Sequence, residues 1–324
     1  MNSLIIPVYK NEESIDALIA AVGGLHAELD GELEVVFVVD GSPDRSHAML
    51  RERLPGCPFA SQLIRHSRNF GSFAAIRTGL AAASGDCFAV MAADLQEPPE
   101  LVVEFFRQLG RGDVDVVVGT RDARADPLLS RLASSIFWSL YRRVVNRDIP
   151  PGGVDIFGCN RRFRDELLQL DESHSSLIGL LFWLGFRRRS VSYARRARAH
   201  GRSGWTFRRK LAYMADSIFS FSDLPIRLLL FAGILAMSFA IVFGLVVLGL
   251  RMAGAFAVPG YAATMATILF FGGLNALGLG IIGTYVWRVF ANTQRRPLAV
   301  VMQSETFNQA AAARPMALPQ GTIP

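Results

Sequence analysis

The spacing of apolar residues switches between two patterns along the first 120 residues. Short apolar runs, typical of buried strands, lie at residues 4–8, 33–39, 62–66, 87–92 and 114–120. Between these runs, apolar side chains recur at helical spacing over residues 12–29, 44–54, 71–83 and 99–109. Short strands that alternate with helices form βαβ units. The pattern therefore predicts an α/β fold with a mostly parallel sheet.

The second half of the chain contains two long apolar stretches. No charged residue lies between Arg227 and Arg251, and none lies between Arg251 and Arg288. Each stretch contains the roughly 20 apolar residues that cross a hydrocarbon core of about 30 Å. We therefore expect transmembrane helices at residues 226–251 and 259–290.

These two helices divide the rest of the chain. Residues 1–206 are expected to form the α/β domain, and the N-terminus has neither the basic nor the apolar region of a signal peptide. Residues 207–225 form an amphipathic pattern that we assign to the membrane interface, while the similar pattern at 128–145 fits either the interface or the domain core. Residues 291–324 are expected to form a cytoplasmic tail, disordered after about Val301 because it is rich in Ala, Gln and Pro.

Small residues recur every four positions within both predicted spans. They are Ala232, Ala236, Ala240 and Gly244 in the first span, and Gly272, Ala276 and Gly280 in the second. Such spacing lets helices approach closely, so these faces could join the spans to each other or form a homo-oligomer. Asn275 lies in mid-span and is expected to face another helix rather than lipid.

The net charge of +6 is unevenly distributed. Residues 173–215 contain no Asp or Glu but ten Arg and Lys residues, just before the first span. This block fits the positive-inside rule and attraction to anionic lipid. Arginine also recognises phosphate through its planar guanidinium group. We expect both uses, and no nucleic-acid binding, because the block adjoins a membrane anchor.

Residues 87–101 contain the clearest candidate chemistry. A buried strand there delivers Asp94 and Gln96 to its C-terminal end, and Pro98 and Pro99 start the next helix. Ligands of open α/β sheets bind beyond the carboxyl ends of the strands. Carboxylate and amide oxygens suit Mg²⁺ or Mn²⁺, which would serve a diphosphate substrate. A capped turn with a surface Asp would give the same pattern.

Eight motifs in order extend this pattern over residues 3–301. They are IPVYKNEESI (6–15), VVDGSPD (38–44), SRNFGSFAAIRTGL (67–80), MAADLQEPPEL (91–101), VVGTR (117–121), GGVDIF (152–157), YARRARAHGRSGW (193–205) and GTYVWRVFANTQRRPLAVV (283–301). Together the motifs and the two spans resemble the polyprenyl-phosphate glycosyltransferases of glycosyltransferase family 2. That group includes dolichyl-phosphate mannose synthase and bacterial undecaprenyl-phosphate glucosyltransferases.

The resemblance implies a GT-A type fold, a nucleotide-sugar donor and a set of site residues. Pro7, Tyr9, Glu12 and Asp40 match positions that contact the nucleotide, and Asp94 and Gln96 match the metal-binding pair. Asp155 matches the residue taken as catalytic base near the acceptor. Arg121, Arg131, Ser135, Arg198 and Ser203 match positions that hold the acceptor phosphate and the donor pyrophosphate.

Two positions depart from the family pattern. Ala92 stands where the family has the first Asp of an Asp-x-Asp motif, and Val39 stands where it has the first of two consecutive Asp residues. Mg²⁺ typically uses one or two carboxylates and completes its shell with water and substrate phosphates. Asp94 and Gln96 are therefore expected to suffice for Mg²⁺ or Mn²⁺ in the presence of the donor.

The expected reaction is inverting transfer of one sugar from a nucleoside diphosphate sugar to a polyprenyl phosphate such as undecaprenyl phosphate. Glucose and UDP are favoured by the resemblance. The acceptor is a phosphate monoester with a second pKa of about 6, so it is largely a dianion at neutral pH. Asp155 is then expected either to position this nucleophile or to take a residual proton.

The enzyme is expected in the bacterial cytoplasmic membrane, with the catalytic domain and both termini cytoplasmic. Two other functions fit parts of the sequence. A processive polysaccharide synthase shares the catalytic fold, although its Gln-x-x-Arg-Trp motif and additional spans are missing from this sequence. A non-catalytic membrane adaptor that binds nucleotide sugar would account for Ala92 and Val39.

Overall fold

The computed structural model describes residues 1–121, 139, 141–143, 146–150, 153–172, 175–196, 214, 216–253 and 261–308. Its strands are β1 (Asn2–Val8), β2 (Leu33–Val39), β3 (Ala60–His66), β4 (Cys87–Val90), β5 (Val116–Arg121), β6 (Phe157–Asn160), β7 (Arg188–Tyr193) and β8 (Val301–Phe307). They form one sheet in the order β7-β5-β6-β4-β1-β2-β3-β8. All five predicted strands are present, each within two residues of its predicted ends.

Most neighbouring strands in this sheet run parallel. β1 pairs in parallel with β2 and β4, β2 with β3, and β5 with β7. β6 lies antiparallel between β4 and β5, and β8 lies antiparallel against β3. The predicted α/β fold with a mostly parallel sheet is therefore confirmed.

The helices also follow the apolar spacing of the sequence. They are α1 (Ile15–Glu28), α2 (Ser46–Arg53), α3 (Ser72–Ala82), α4 (Glu100–Gly110), α5 (Arg161–Gln169), α6 (Leu177–Trp183), α7 (Leu224–Met252) and α8 (Tyr261–Thr293). Short 3-10 turns at Glu12–Ser14 and Leu54–Gly56 precede α1 and follow α2. Asn160 begins α5 by accepting a hydrogen bond from the Phe163 amide at 2.9 Å, as an N-cap residue does.

The central strands of the sheet are buried on both faces. Leu4 and Ile6 of β1 belong to one apolar cluster with α1 and α4, whereas Ile5 belongs to a second cluster with α3, α5 and α6. Alternate side chains of a strand point to opposite faces, so a strand of this kind needs a continuous apolar run. Burying each Leu, Ile or Val side chain stabilises the fold by about 1.5–3 kcal/mol.

Two arginines join α3 to α5 reciprocally. Arg77 of α3 donates hydrogen bonds of 2.6–2.9 Å to the carbonyls of Leu167, Leu168 and Leu170 at the end of α5 and to the carboxylate of Asp171. Arg164 of α5 donates to the carbonyls of Leu80 and Ala83 at the end of α3, at 3.1 and 3.2 Å. Each guanidinium thus satisfies carbonyls that a helix C-terminus leaves without partners.

Helices α7 and α8 lie where the two spans are predicted. Their segments Leu224–Val247 and Phe270–Thr293 are long and apolar enough to cross a membrane. In the most apolar 18-residue stretch of each segment, 6% and 0% of the residues are buried. Gly278 of α8 lies against Leu229 of α7, with 3.4 Å between its ideal Cβ position and the Leu229 side chain. The two helices therefore touch along a narrow line.

The predicted small-residue face of α8 lies outside this contact. A Cβ at Gly272 or Gly280 would meet nothing within 4 Å. Asn275 is exposed on the same helix, so its predicted contact with another helix is not made among the described residues. Contact between subunits stays a prediction for this face.

The segment before α7 docks on both the catalytic domain and α8. Ser217 is fully buried and pairs with the hydroxyl of Tyr141 at 3.1 Å. Arg288 of α8 forms an ion pair with Asp216 at 2.6 Å and donates to Ser220 at 3.0 Å. Among the described parts of the predicted helices 128–145 and 207–225, Tyr141 and Ser217 thus pack inside the protein.

The prediction that the chain is disordered after Val301 is wrong for β8. Residues Val301–Phe307 pair with β3 from Ser61 to His66. Arg51 of α2 adds an ion pair with Glu305 at 2.9 Å. The exposed edge of β3 supplies the backbone partners, which the composition of the tail cannot reveal.

We expect Arg77→Met to lower the free energy of unfolding by about 2–4 kcal/mol, because it leaves the carbonyls at the end of α5 without donors. Thermal and denaturant unfolding of the detergent-solubilised protein measure this loss. Arg107→Met is the matched control, since Arg107 forms an exposed pair with Glu104 and its loss should cost less than about 0.5 kcal/mol. Equal effects of the two substitutions would contradict the capping role.

Candidate active site

The loops that follow β1 and β2 are tied together by Asp44. Its carboxylate accepts hydrogen bonds from Ser42 at 2.6 Å, from Ser46 at 2.8 Å and from the Glu12 amide at 3.1 Å. Partial burial raises the pKa of Asp44, but the hydrogen bonds from Ser42 and Ser46 outweigh it and hold the pKa below its usual range. The charged carboxylate therefore fixes both loops at the carboxyl edge of the sheet.

Three predicted nucleotide-contacting residues lie in or beside these loops. Pro7 lies near the end of β1 and is partly buried, while Tyr9 is 42% exposed just beyond that strand. The Glu12 carboxylate accepts a hydrogen bond from the Arg45 amide at 2.9 Å. Tyr9 is thus accessible, and its contact with a nucleotide stays a prediction, whereas Glu12 stabilises the loop.

Asp40, the fourth predicted nucleotide contact, is bonded mainly to the protein itself. Its carboxylate is 4% exposed and accepts hydrogen bonds from the amides of Phe70 at 2.9 Å and Gly71 at 2.7 Å. The His66 ring lies 2.8 Å from the same carboxylate. The geometry assigns Asp40 to positioning the loop before α3, and a direct contact with the nucleotide stays a prediction.

Gly41 makes this arrangement possible. It has a φ of 57°, and a Cβ there would lie 2.2 Å from the backbone of Arg68. Only glycine adopts this conformation at no steric cost. The loop before α3 can therefore approach Asp40 closely.

Asp94 and Gln96 lie in a tight turn beyond β4. Leu95 between them has a φ of 53°, an uncommon conformation for a branched residue. The Gln96 amide donates to Asp94 at 3.3 Å, and the Arg196 amide donates to the Gln96 carbonyl at 2.9 Å. The Gln96 side-chain oxygen also accepts a hydrogen bond from Arg195. Both predicted metal ligands thus share one constrained turn.

Asp155 lies just before β6, and because β6 is antiparallel this places it at the same edge of the sheet. Arg121 at the end of β5 forms an ion pair with Asp155 at 3.0 Å, and the Tyr193 hydroxyl donates to the same oxygen at 2.7 Å. Burial raises the pKa of Tyr193, as does the negative charge of Asp155, so the phenol stays protonated and donates. The structure therefore brings together two predicted site residues, Arg121 and Asp155.

Glu97 is a buried acid that the sequence did not indicate. Its side chain is 3% exposed, and one of its oxygens has no hydrogen-bond partner among the described residues. Burial raises the pKa of Glu97 to about 7; Arg195 opposes this shift, and the negative charges of Asp155 and Asp94 add to it. Glu97 thus lies close enough to both predicted site carboxylates for their negative charges to raise its pKa.

The remaining predicted site residues are Arg131, Ser135, Arg198 and Ser203, and they lie outside the described residues. The residues that the sequence missed are Asp44, Glu97, Tyr193 and Arg195. Each lies within a motif of the family resemblance, but its role depends on a partner that is distant in sequence. Spacing alone therefore could not identify them.

The described members of the basic block have a use that the sequence did not reveal. Arg187, Arg188, Arg189, Arg195 and Arg196 pair with Asp115, Asp148, Asp113, Glu97 and Glu100, respectively. The Asp115 pair is the best connected, because Asp115 also accepts from Asn160 at 2.9 Å. The hydrogen bond from Arg187 is the main reason that the pKa of Asp115 falls to about 2. These arginines therefore hold β7 and the residues on either side of it to the rest of the α/β domain.

The donor set of the turn fits a divalent cation. Asp94 and Gln96 offer a carboxylate and an amide oxygen, both hard ligands. The described residues contain no group of three His, Cys, Asp or Glu side chains arranged to hold a metal. Phosphate oxygens and water would have to supply the other ligands, which is how Mg²⁺ usually binds.

We expect Glu97→Gln to stabilise the chelator-treated protein at pH 8. The raised pKa means that the wild type loses stability as the pH rises from about 4.5 to about 7, by up to about 3 kcal/mol. Gln stays neutral at every pH, so the variant should match the wild type near pH 4.5 and exceed its thermal stability at pH 8. Glu100→Gln is the exposed control, and a Glu97→Gln protein no more stable than the wild type at pH 8 would contradict the shift.

Comparison with known proteins agrees with this architecture. Residues 3–170 match the Glycosyl transferase family 2 domain. The chain is 32% identical to "Uncharacterized glycosyltransferase YkcC" of Bacillus subtilis, over 93% of each chain. It is 29% identical to "Prophage bactoprenol glucosyl transferase homolog" of Escherichia coli, over 92% of this chain and 97% of the relative.

The chain also has a lower similarity to a solved structure. Glucosyl-3-phosphoglycerate synthase from Mycobacterium tuberculosis, in complex with Mn²⁺ and UDP-glucose, is 19% identical with a TM-score of 0.47, over 68% of this chain and 77% of that one. The family match covers more than half of the chain, and its sheet is the one expected of a GT-A type fold. The protein is a glycosyltransferase that belongs to glycosyl transferase family 2.

Proposed function

We propose that this glycosyltransferase transfers a single sugar, glucose first among the candidates, from a UDP-sugar to the phosphate of a polyprenyl phosphate. The transfer inverts the anomeric carbon. One phosphate oxygen of the lipid attacks that carbon, the carbon–oxygen bond to the diphosphate breaks, and UDP leaves with the bonding electrons. The product is a lipid-linked sugar that serves as donor for glycan modification in the cell envelope.

The observation that carries the proposal is the group of side chains at the carboxyl edge of the sheet. Asp94, Gln96, Arg121 and Asp155 lie there together, next to the loop that presents Tyr9. The relative named as a bactoprenol glucosyl transferase homolog matches the chain over nearly its whole length, including the two apolar helices. The second observation favours a lipid phosphate over a soluble acceptor.

Asp94 and Gln96 would hold the divalent cation, Mg²⁺ or Mn²⁺. When bound, the cation supplies neutralisation of the charge that develops on the diphosphate leaving group. The constrained turn around Leu95 fixes the two ligands before substrate arrives. Because Ala92 contributes no carboxylate, the donor phosphates carry a larger share of the binding.

Asp155 is better suited to positioning than to strong base catalysis. Arg121 and Tyr193 both donate to its carboxylate, and the acceptor phosphate is already largely a dianion because its second pKa is about 6. Asp155 and Arg121 together present a negative and a positive group to the incoming phosphate. The arginine attracts the phosphate, and the carboxylate orients any proton that it still carries.

Helices α7 and α8 would anchor this site at the membrane surface. Their apolar side chains are largely exposed, because only 6% and 0% of the residues in the most apolar stretch of each helix are buried. Strand β8 follows α8 and pairs with β3, so an even number of crossings fits a chain that returns to its own catalytic domain. We infer an inner-membrane protein whose catalytic domain and both termini are cytoplasmic.

A transfer assay with detergent-solubilised protein tests the proposal. Radiolabelled UDP- and GDP-sugars are presented with undecaprenyl phosphate, with Mg²⁺, with Mn²⁺ or with chelator. We expect metal-dependent label in a single-sugar lipid from one donor, UDP-glucose first. Polymeric product would favour a processive synthase, and nucleotide binding without transfer from any donor would favour an adaptor.

We expect Asp155→Asn to separate positioning from base catalysis. If Asp155 only positions the phosphate, the variant should retain more than about a tenth of kcat, whereas an obligatory base would lose about 10²–10⁴-fold. The measurement is kcat and KM for the lipid phosphate over a pH range. Asp148→Asn is the control, because Asp148 forms a peripheral pair with Arg188 and is 66% exposed.

A further inference from the structure

The buried carboxylate of Glu97 and the partly exposed side chain of Arg195 form a pair that is incompletely bonded. The Arg195 Nε lies 3.8 Å from Glu97 Oε1, which is longer than a hydrogen bond between nitrogen and oxygen. Within the described part of the chain, Glu97 Oε2 and Arg195 Nε are both buried without a hydrogen-bond partner. Native proteins rarely leave a buried charged group in this condition without a functional reason.

The rest of the Arg195 guanidinium is bonded to the predicted metal ligand. Its Nη2 donates to Gln96 Oε1, the oxygen that would bind a divalent cation. A guanidinium and a divalent cation on one oxygen repel each other, because both are positive and only a few ångströms apart. The backbone cannot separate them easily, since the Arg196 amide is bonded to the Gln96 carbonyl at 2.9 Å. The side chain of Arg195 must therefore move when a cation binds.

We propose that Glu97 is a positioning residue of the metal site. Its carboxylate receives the Arg195 guanidinium when a divalent cation takes the side-chain oxygen of Gln96. The inference rests on the proposed function, because it uses the same cation. Gln96 and Glu97 are consecutive, so the guanidinium needs to shift by only about 1 Å to convert the 3.8 Å separation into a hydrogen bond. The shift gives the buried Arg195 Nε an acceptor in the Glu97 carboxylate, and it brings the guanidinium closer to the unpartnered Glu97 Oε2.

This exchange gives Arg195 two states with different charge surroundings. In the first state Arg195 donates to Gln96 and makes only a long contact with Glu97. In the second state the cation occupies Gln96 and lies beside Asp94, and Arg195 neutralises Glu97. Arg195 thus competes with the cation, and Glu97 relieves the competition. The two residues should therefore have opposite effects on metal affinity.

Mn²⁺ binding to the full-length protein in detergent tests this directly, with free Mn²⁺ followed by electron paramagnetic resonance, with and without UDP. Arg195→Gln should tighten Mn²⁺ binding by about fivefold, because a competing cation is removed. Glu97→Gln should weaken it by about tenfold, as loss of a supporting group around a metal site commonly does. In the Arg195→Gln background, Glu97→Gln should change the Kd by less than about twofold.

The neighbouring pair Arg196 and Glu100 provides matched controls. Their contact is 3.2 Å long, and their side chains are 53% and 68% exposed. Arg196→Gln and Glu100→Gln should leave Mn²⁺ affinity within about twofold of the wild type. Thermal unfolding of each variant confirms that it is folded before binding is measured.

Three results would overturn the inference. Unchanged Mn²⁺ affinity in Arg195→Gln would mean that the guanidinium does not compete. Fully additive effects in the double variant would mean that Glu97 acts by its charge alone or binds the cation itself. Absence of Mn²⁺ binding by the wild type with UDP would remove the cation from the site. Metal-dependent sugar transfer by the wild type, measured separately, would leave the proposed function standing in the first two cases.

Discussion

A strand that is buried on both faces has no side chain available for chemistry until it ends, and this constraint governs where the site can lie. β1, β2 and β4 are buried among helices on both sides of the sheet. Tyr9, Asp44 and Asp94 follow these strands within a few residues. The polar side chains are therefore concentrated at one edge because the rest of each strand is committed to packing.

The one strand inserted in the opposite direction brings Asp155 to the same edge. β6 runs antiparallel between β4 and β5, so its beginning lies where its neighbours end. Asp155 precedes β6 and meets Arg121, which ends β5, and Tyr193, which ends β7. The reciprocal bonds of Arg77 and Arg164 then lock the helix after β6 to α3. Asp155 is therefore held by its own bonds to Arg121 and Tyr193, and the strand that follows it is held by the helix bonds to α3.

The sequence was sufficient for the parts of the fold that depend on local pattern. β2 was predicted to the residue, and Asp94 was correctly placed beyond β4. β7 and β8 escaped prediction because their sequences RRSVSY and VMQSETF are polar. Such strands gain their stability from backbone pairing with β5 and β3, and that pairing leaves no apolar period in the sequence. For the same reason, the partners of Asp40 and Glu97 could not be inferred from spacing.

The described arginines around the site also restrict how it can receive two anions. Arg121 is paired with Asp155, and Arg195 is bonded to Gln96 and lies beside Glu97. Free guanidinium groups crowded at one edge would repel one another, whereas paired groups can be held there at low cost. An anion that enters such a site competes with Asp155 for Arg121, and with Gln96 and Glu97 for Arg195. Because the carboxylates of Asp155 and Glu97 are negative and close by, they reduce the net attraction that the two arginines offer, so binding of two anions calls for additional positive charge from a cation or from other residues.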